Sequence, residues 1–276
     1  MSILDVHAHV WPDAAAERAL AHSIDDLRRY GDGKVRGLLA SMDRAGIDRT
    51  VCLGVAISPD QVAKANRFLG ALERDRFIGF GSVHAALPPE ENVAALRDNG
   101  LVGAKVHPLF QGYGLDDPRL HATLSLMEGR FAVIVHVGAG KDPRTNQGCT
   151  PQLLAELVER FPRLDVIACH FGGYRMLDVA EDTVIGLPVY IDTSWPPSLS
   201  ELDTARIKGV IERHGAERVL FGSDWPMASQ TDEVAAVRAL ELSAADEAAV
   251  LGGNLERLLA RLEGRSAEWE APRSDG

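Results

Sequence analysis

The chain has 276 residues, of which 46% are hydrophobic and 25% are charged, and its formal net charge is -11. This composition is typical of a globular domain rather than of a disordered chain. The acidic balance disfavours nonspecific binding to nucleic acid or to an anionic membrane, because both depend on clustered lysine and arginine. The sequence contains no run of roughly 20 apolar residues, as a membrane-spanning helix would need, and it does not begin with the basic and apolar segments of a signal peptide. We therefore expect a cytoplasmic protein that acts on a small molecule.

Eight short apolar runs alternate along the chain with segments of helical periodicity. The runs cover residues 3–7, 50–55, 77–83, 102–107, 132–137, 165–170, 188–193 and 218–222. Several are apolar on both faces, as in parallel strands that are covered on both sides. Gly46 ends one helical segment, and Pro151 after Thr150 begins another. We predict an α/β fold with a single (β/α)8 TIM barrel over residues 1–264 and a polar tail over residues 265–276.

Motifs that are typical of several other protein classes are missing from the sequence. No glycine-rich nucleotide-binding motif and no G-x-S-x-G nucleophile motif is present, which weighs against an open nucleotide-binding sheet and an α/β-hydrolase. The spacing of Cys52, Cys149 and Cys169 does not suit a disulfide framework or a thiolate zinc site. We predict that Cys52 and Cys169, which lie in apolar runs, are packing residues.

Histidines close four of the predicted strands, and an aspartate follows the last strand. These residues are His7, His107, His136, His170 and Asp224. Because the carboxyl ends of the strands of a closed barrel meet at one mouth, we expect the five side chains to share a site. The remaining histidines, His22, His84, His121 and His214, fall elsewhere and are predicted to be surface or structural residues.

The first strand carries a pair of candidate metal ligands. Asp5, His7 and His9 alternate with period two, which predicts that all three side chains project to one face. Imidazole nitrogens and carboxylate oxygens suit zinc and similar divalent ions, and a catalytic site keeps one position open for water. A single strand-end histidine is more often structural, so the coincidence of several is what favours a metal site.

Several motifs together resemble the amidohydrolase-2 branch of the amidohydrolase superfamily, which includes the aminocarboxymuconate semialdehyde decarboxylase-like enzymes. The motifs are Asp5-Val-His7-Ala-His9, His136 in IVHVG, His170 in CHFGG, Tyr190-Ile-Asp192-Thr-Ser194 and Phe221-Gly-Ser-Asp224-Trp-Pro226. The resemblance extends from residue 3 to about residue 262. It implies that His7, His9, His136 and Asp224 bind a divalent ion, with zinc expected and manganese as an alternative. It also implies that His170 is a catalytic histidine that need not bind the metal.

The fourth strand leaves alternatives open. Some members of the superfamily carry a carbamylated lysine on this strand that bridges two metals, and Lys105 would be its counterpart. Because His107 rather than Lys105 ends the strand, we favour one metal, with His107 in the substrate pocket. An ion pair inside the barrel between Lys105 and a residue such as Asp5 is an alternative.

Charged and aromatic side chains after the strands are candidates for substrate binding. Lys141, Arg144 and Arg175 could pair with a substrate carboxylate, although each could equally be a solvated loop charge. Aromatic residues after strand ends could form a wall for a ring, or could pack at the barrel rim; they are Trp11, Phe110, Tyr113, Trp195 and Trp225. The substrate-binding residues we predict are Lys105, His107, Trp11, Arg175 and Trp195.

Three hypotheses for function follow. The first is hydrolysis of an ester, lactone or amide carbonyl of a small carboxylated or ring-containing substrate by metal-bound hydroxide, with Asp224 as ligand and base and His170 as acid or oxyanion partner. The second is non-oxidative decarboxylation of an aromatic or muconate-like acid. The compactness of the chain favours hydrolysis. The third is a catalytically silent barrel that binds a ligand. A homodimer is expected from the resemblance and from the frequency of twofold oligomers.

Overall fold

The computed structural model describes residues 2–21 and 27–270, with residues 266–270 described by their backbone alone. His22 and residues 271–276 of the predicted tail lie outside this part of the chain. The strands, all parallel, are β1 (Leu4–His9), β2 (Arg49–Leu53), β3 (Phe77–Ser82), β4 (Gly103–Val106), β5 (Ala132–Val135), β6 (Asp165–Ala168), β7 (Tyr190–Asp192) and β8 (Val219–Leu220). Each predicted run overlaps one of them, and the predicted barrel is confirmed.

Helices connect consecutive strands, and the last three helices follow β8. They are α1 (Asp13–Ala21), α2 (Val35–Ala45), α3 (Pro59–Gly70), α4 (Pro89–Arg97), α5 (Pro108–Gln111), α6 (Pro118–Met127), α7 (Pro143–Asn146), α8 (Pro151–Arg160), α9 (Leu177–Thr183), α10 (Thr204–His214), α11 (Gln230–Arg238), α12 (Ala244–Ala248) and α13 (Asn254–Glu270). The predicted boundary signals are present: Gly46 ends α2 at φ 69°, and Thr150 Oγ1 accepts a hydrogen bond from Leu153 N at the start of α8. Among these helices, none is long and apolar enough to cross a membrane.

The barrel closes between β1 and the segment that follows β8. Val6 N donates to Phe221 O at 2.8 Å, and His9 N donates to Trp225 O at 2.7 Å. Neighbouring strands pair in sequence order from β1 to β8. The carboxyl ends of all eight strands therefore surround one mouth, and residues that are far apart in sequence meet there.

Apolar side chains from alternate strand positions fill the barrel interior. On β5, Ala132 and Ile134 belong to the inner cluster, whereas Val133 and Val135 pack with the surrounding helices. Leucines of α13 join the inner cluster at the amino-terminal end of the barrel; they are Leu255, Leu258, Leu259 and Leu262. The helix continues past the predicted tail boundary at 264 as far as Glu270.

The alternation predicted for β1 is interrupted. The register between β1 and β2 shifts between Asp5 and Ala8, so that two residues of β1 lie opposite one residue of β2. Asp5 consequently does not join His7 and His9, and its carboxylate accepts hydrogen bonds from Ser223 Oγ and Gln230 Nε2. The prediction that Asp5, His7 and His9 share one face was wrong for Asp5, because period-two counting assumes an unbroken strand.

His214 is buried and structural, as predicted, and it bridges two segments as a neutral ring. Its Nε2 donates to Val189 O at 2.9 Å, and its Nδ1 accepts from Gly186 N at 3.1 Å. Burial lowers the pKa of His214 from 6.5 to about 4. Because a protonated ring would lose the bond from Gly186, the folded state requires the neutral form.

We expect this histidine to make the fold sensitive to acid. Between pH 6.5 and pH 4 the folded state binds fewer protons at His214 than the unfolded state does. Its contribution to the free energy of unfolding is therefore complete above pH 6.5 and falls by up to about 3 kcal/mol as the pH drops through this window. His214→Gln, which cannot titrate, should flatten that slope in urea unfolding with a chelator present throughout. An unchanged slope in the variant would contradict this assignment.

Candidate metal centre

Three of the four predicted metal ligands meet at the barrel mouth. His7 Nε2 lies 3.3 Å from His9 Nε2 and 3.4 Å from Asp224 Oδ1, and His9 Nε2 lies 3.5 Å from the same oxygen. Ligand atoms held at about 2.0–2.1 Å from a tetrahedral ion are separated by about 3.3–3.4 Å. The three donor atoms therefore have the spacing of one face of a tetrahedral site.

Backbone contacts between β1 and the segment after β8 hold Asp224 in place. Asp224 N donates to His7 O at 2.7 Å, and Asp224 has a φ of 61°. Such a conformation is uncommon for residues other than glycine and is found at functional sites. The same short segment that closes the barrel thus directs the carboxylate toward the two imidazoles.

His136, the fourth predicted ligand, lies beside this group rather than within it. Its Nδ1 is 3.1 Å from His170 Nε2, and its Nε2 is buried without a hydrogen-bond partner among the described residues. A buried ring nitrogen without a partner loses its solvation, and a cation would compensate for that loss. The unpaired nitrogen and the spacing of the other three donors both fit a divalent ion.

Burial also sets the charge of these groups. It lowers the pKa of His7 and of His136 well below the usual range, and that of His9 to about 3. It raises the pKa of Asp224 well above its ordinary value. The imidazoles are therefore neutral and have lone pairs to offer, as metal ligands must, while the ionised carboxylate would gain a counter-charge from a cation.

His170, the predicted catalytic residue, adjoins both groups. Its ring centroid lies 5.3 Å from that of His7 and 4.9 Å from that of His136. Its Nδ1 is 3.1 Å from Ser194 O and 2.9 Å from Ser194 Oγ. Burial lowers the pKa of His170 to about 4, against the opposing effect of Asp192. The ring is therefore neutral and oriented by the segment after β7.

Asp192 is a central residue of the site to which sequence reasoning gave no role. Its Oδ2 is 2.8 Å from His7 Nδ1, and its Oδ1 accepts from His170 N at 2.8 Å and from Ser194 Oγ at 2.6 Å. The carboxylate is fully buried. Asp192 is the last residue of β7 and the last but one of the predicted run 188–193, so the rule that selected the strand-end histidines would have found it if it had included carboxylates.

Lys105 lies inside the barrel below the metal centre. It is fully buried, its Nζ donates to Cys169 Sγ at 2.9 Å, and this nitrogen is 3.5 Å from His7 Nε2. The alternative ion pair with Asp5 is not formed, and Lys105 has no carboxylate within ion-pair distance in the part of the chain described here. Cys169 is a buried packing residue, as predicted, and also a hydrogen-bond acceptor.

His107 belongs to a stack of rings that leads outward from the site. Its ring is parallel to that of His136 with centroids 4.1 Å apart, and Phe110 stacks on its other side at 4.0 Å. His107 Nδ1 is buried and has no hydrogen-bond partner in the described part of the chain, whereas Phe110 is 40% exposed. The stack therefore connects the predicted fourth ligand with the protein surface.

The other predicted substrate-binding residues lie at different depths. Trp11 stacks on the ring of His9 with centroids 6.0 Å apart, and Trp195 is buried against Tyr174 at 5.2 Å. The guanidinium of Arg175 lies 5.1 Å above the ring of Tyr174. Of the other candidates, Tyr113 and Trp225 are also buried, and Arg144 pairs with Asp142 at the surface.

Comparison with known proteins places the chain in a family. The amidohydrolase family model matches residues 4–261. No curated protein matches the chain.

Solved structures with the same fold include enzymes of two reaction types. The 5-carboxyvanillate decarboxylase LigW from Sphingomonas paucimobilis is 20% identical, with a TM-score of 0.69 over 94% of this chain and 99% of that chain. A probable 2-pyrone-4,6-dicarboxylic acid hydrolase from Acinetobacter baumannii is 19% identical, with a TM-score of 0.67 over 94% of this chain and 100% of that chain. A dihydroxybenzoic acid decarboxylase from Polaromonas sp. JS666, solved with bound manganese, is 19% identical, with a TM-score of 0.66 over 94% and 97% of the two chains. These likenesses establish the shared fold, and the family match over nearly the whole chain shows that the protein belongs to the amidohydrolase-2 family of metal-dependent enzymes.

Proposed function

We propose that the protein is a metal-dependent hydrolase that acts on an ester, lactone or amide carbonyl of a small carboxylated or ring-containing substrate. The observation that carries the proposal is the orientation of Asp224. Its Oδ1 faces His7 and His9, while no described residue forms a hydrogen bond with its Oδ2. The side chain retains 11% exposure toward the mouth. One carboxylate can therefore serve as a ligand through one oxygen and as a base through the other.

The residues that would hold the ion are His7, His9, Asp224 and His136, with zinc or manganese as the ion. When bound, a divalent cation at this position supplies Lewis acidity, which polarises a carbonyl oxygen and acidifies water. Asp224 Oδ2 would take a proton from the attacking water as the water oxygen bonds to the carbonyl carbon. The leaving-group oxygen recovers a proton when the carbon–oxygen bond breaks, so water adds across the bond.

His170 would assist the leaving group. Its Nδ1 is directed to Ser194, so Nε2 is the nitrogen on the side of His136 and the metal centre. In the neutral ring this nitrogen carries a lone pair, so it would take up the proton that Asp224 removes from water and pass it to the departing oxygen. Because the ring is fixed by the segment after β7, it requires little reorganisation during the reaction.

The substrate would be held by the groups around this centre. The buried amine of Lys105 and the guanidinium of Arg175 are candidates for a substrate carboxylate. The rings of His107, Trp11 and Trp195 are candidates for contact with an apolar or planar part of the substrate.

Decarboxylation is the second candidate. The solved decarboxylases match over 94% of this chain and over 97–99% of their own length, as completely as the pyrone hydrolase does. Chain length therefore does not favour hydrolysis over decarboxylation. In a decarboxylase, the same groups would bind the acid, and His170 would protonate the carbon that loses carbon dioxide.

A substrate panel tests the proposal. Protein loaded with one equivalent of zinc or manganese is incubated with lactones, esters and aromatic acids, while acid release and carbon dioxide are measured in parallel. The hydrolase predicts acid release from a lactone or ester without carbon dioxide. Carbon dioxide without acid release would establish the decarboxylase instead. A protein that binds no stoichiometric metal, and is unchanged by a chelator, would support the silent barrel.

A further inference from the structure

Asp192 is bonded through its two oxygens to two different parts of the site. Among the described residues, Oδ2 forms a hydrogen bond only with His7 Nδ1, at 2.8 Å. Oδ1 accepts three hydrogen bonds, from His170 N, Ser194 N and Ser194 Oγ. Since a carboxylate accepts and does not donate, His7 Nδ1 must carry a hydrogen. In the neutral ring, His7 Nε2 then has a lone pair, and this nitrogen faces His9 and Asp224.

The hydrogen bonds to Asp192 Oδ1 determine which ring nitrogens carry hydrogen in His170 and His136. Ser194 Oγ uses its hydrogen for Asp192, and Ser194 O is a carbonyl, so both Ser194 oxygens accept from His170 Nδ1. His170 Nε2 therefore has a lone pair and accepts from His136 Nδ1 at 3.1 Å. The lone pair of His136 is left on Nε2, the buried nitrogen without a partner.

We propose that Asp192 is a positioning residue that determines which ring nitrogen carries hydrogen in His7, His170 and His136, so that His7 and His136 both present a bare Nε2 to the metal. The inference rests on the proposed metal centre and adds to it a residue that does not touch the ion. A carboxylate that fixes a metal-binding histidine in this way typically affects metal affinity by about 10- to 100-fold. Here one carboxylate acts on two ligands.

The substitution Asp192→Asn has a defined effect on this network. Two of the donors to Oδ1 are backbone amides, which cannot become acceptors, so the amide oxygen of the variant must occupy that position. Its NH2 group then faces His7 Nδ1. This nitrogen becomes an acceptor, the hydrogen moves to Nε2, and the lone pair that faces His9 and Asp224 is lost.

The experiment compares metal-free wild-type protein with three variants. Zinc affinity is measured by competition with a chromophoric chelator, and the nitrogen shifts of the histidine rings are measured by NMR before zinc is added. Asp192→Asn should bind zinc about 10- to 100-fold more weakly and should show His7 with hydrogen on Nε2. Ser194→Ala, which keeps the contact between Asp192 and His7, should lose less affinity. Asp142→Asn, which changes an exposed helix-capping carboxylate, should match the wild type.

The outcomes separate the inference from the proposed function. Equal zinc affinity in Asp192→Asn and wild type, or a wild-type His7 with hydrogen on Nε2, would overturn the role of Asp192. Because the wild-type ring spectrum is recorded without metal, it tests the inference even if the variant does not fold. A wild type that binds no zinc or manganese would instead overturn the proposed metal centre.

Discussion

Replacing His170 with asparagine is expected to leave one metal ion bound per chain and to lower turnover by about 10²- to 10⁴-fold, the usual contribution of a positioned acid or base. His170 contacts His136 through Nε2 and Ser194 through Nδ1, so it lies beside the metal centre without being one of its three closely spaced donors. Asparagine can still bond to Ser194, but it cannot transfer a proton. Metal content and kcat of the zinc-loaded variant are the quantities to measure.

A matched substitution controls for general effects of the change. His121→Asn alters a histidine of the outer helix α6, away from the mouth. The Nε2 of this histidine donates a hydrogen bond to Leu115 O. It should retain both metal and turnover. Loss of metal from His170→Asn would mean that this ring is itself a ligand. That outcome has a geometric basis, since His7, Cys169 and His170 also bring donor atoms within 4.8 Å of one another.

The barrel and most of the site could be predicted because each depends on a local pattern. A parallel strand buried on both faces must be apolar, so polar residues at its carboxyl end are conspicuous. His7, His9 and Asp224 were found in this way, and their donor atoms lie within 3.5 Å of one another. That these residues share one site could be predicted because closure of the barrel brings all eight strand ends together.

The features that were not predicted depend on contacts between residues that are far apart in the sequence. The displacement of Asp5 depends on a register shift against β2, and residues of β1 alone do not encode it. The partner of Lys105 is Cys169, two strands away, which appeared in the sequence only as one more apolar position. Asp192 was overlooked because a single carboxylate at a strand end has many other uses. Its role becomes visible only when the direction of each hydrogen bond is known.

The backbone next to His136 imposes a further requirement, which leads to the largest expected loss of stability. Gly138 has a φ of 123°, and a Cβ built on it would lie 2.2 Å from Tyr174 O and 2.4 Å from Tyr174 N. The two segments are joined there by hydrogen bonds from Tyr174 N to Val137 O and from Ala139 N to Tyr174 O, both of 2.9 Å. Any side chain must therefore separate the loops that follow β5 and β6.

Gly138→Ala is expected to lower the free energy of unfolding by about 3 kcal/mol or more, because the strain of the backbone adds to a clash with main-chain atoms that cannot rotate away. Gly129→Ala is the matched control: its φ is 73°, but nothing lies within 4 Å of the added Cβ. It should lose only about 1–2 kcal/mol, the cost of the left-handed conformation. Urea unfolding of both variants measures the difference, and equal losses would refute the clash. Because Gly138 follows His136 by two residues, Gly138→Ala should also bind zinc more weakly, whereas Gly129→Ala should not. The backbone contact between Gly138 and Tyr174 would then contribute both to the stability of the fold and to the position of a metal ligand.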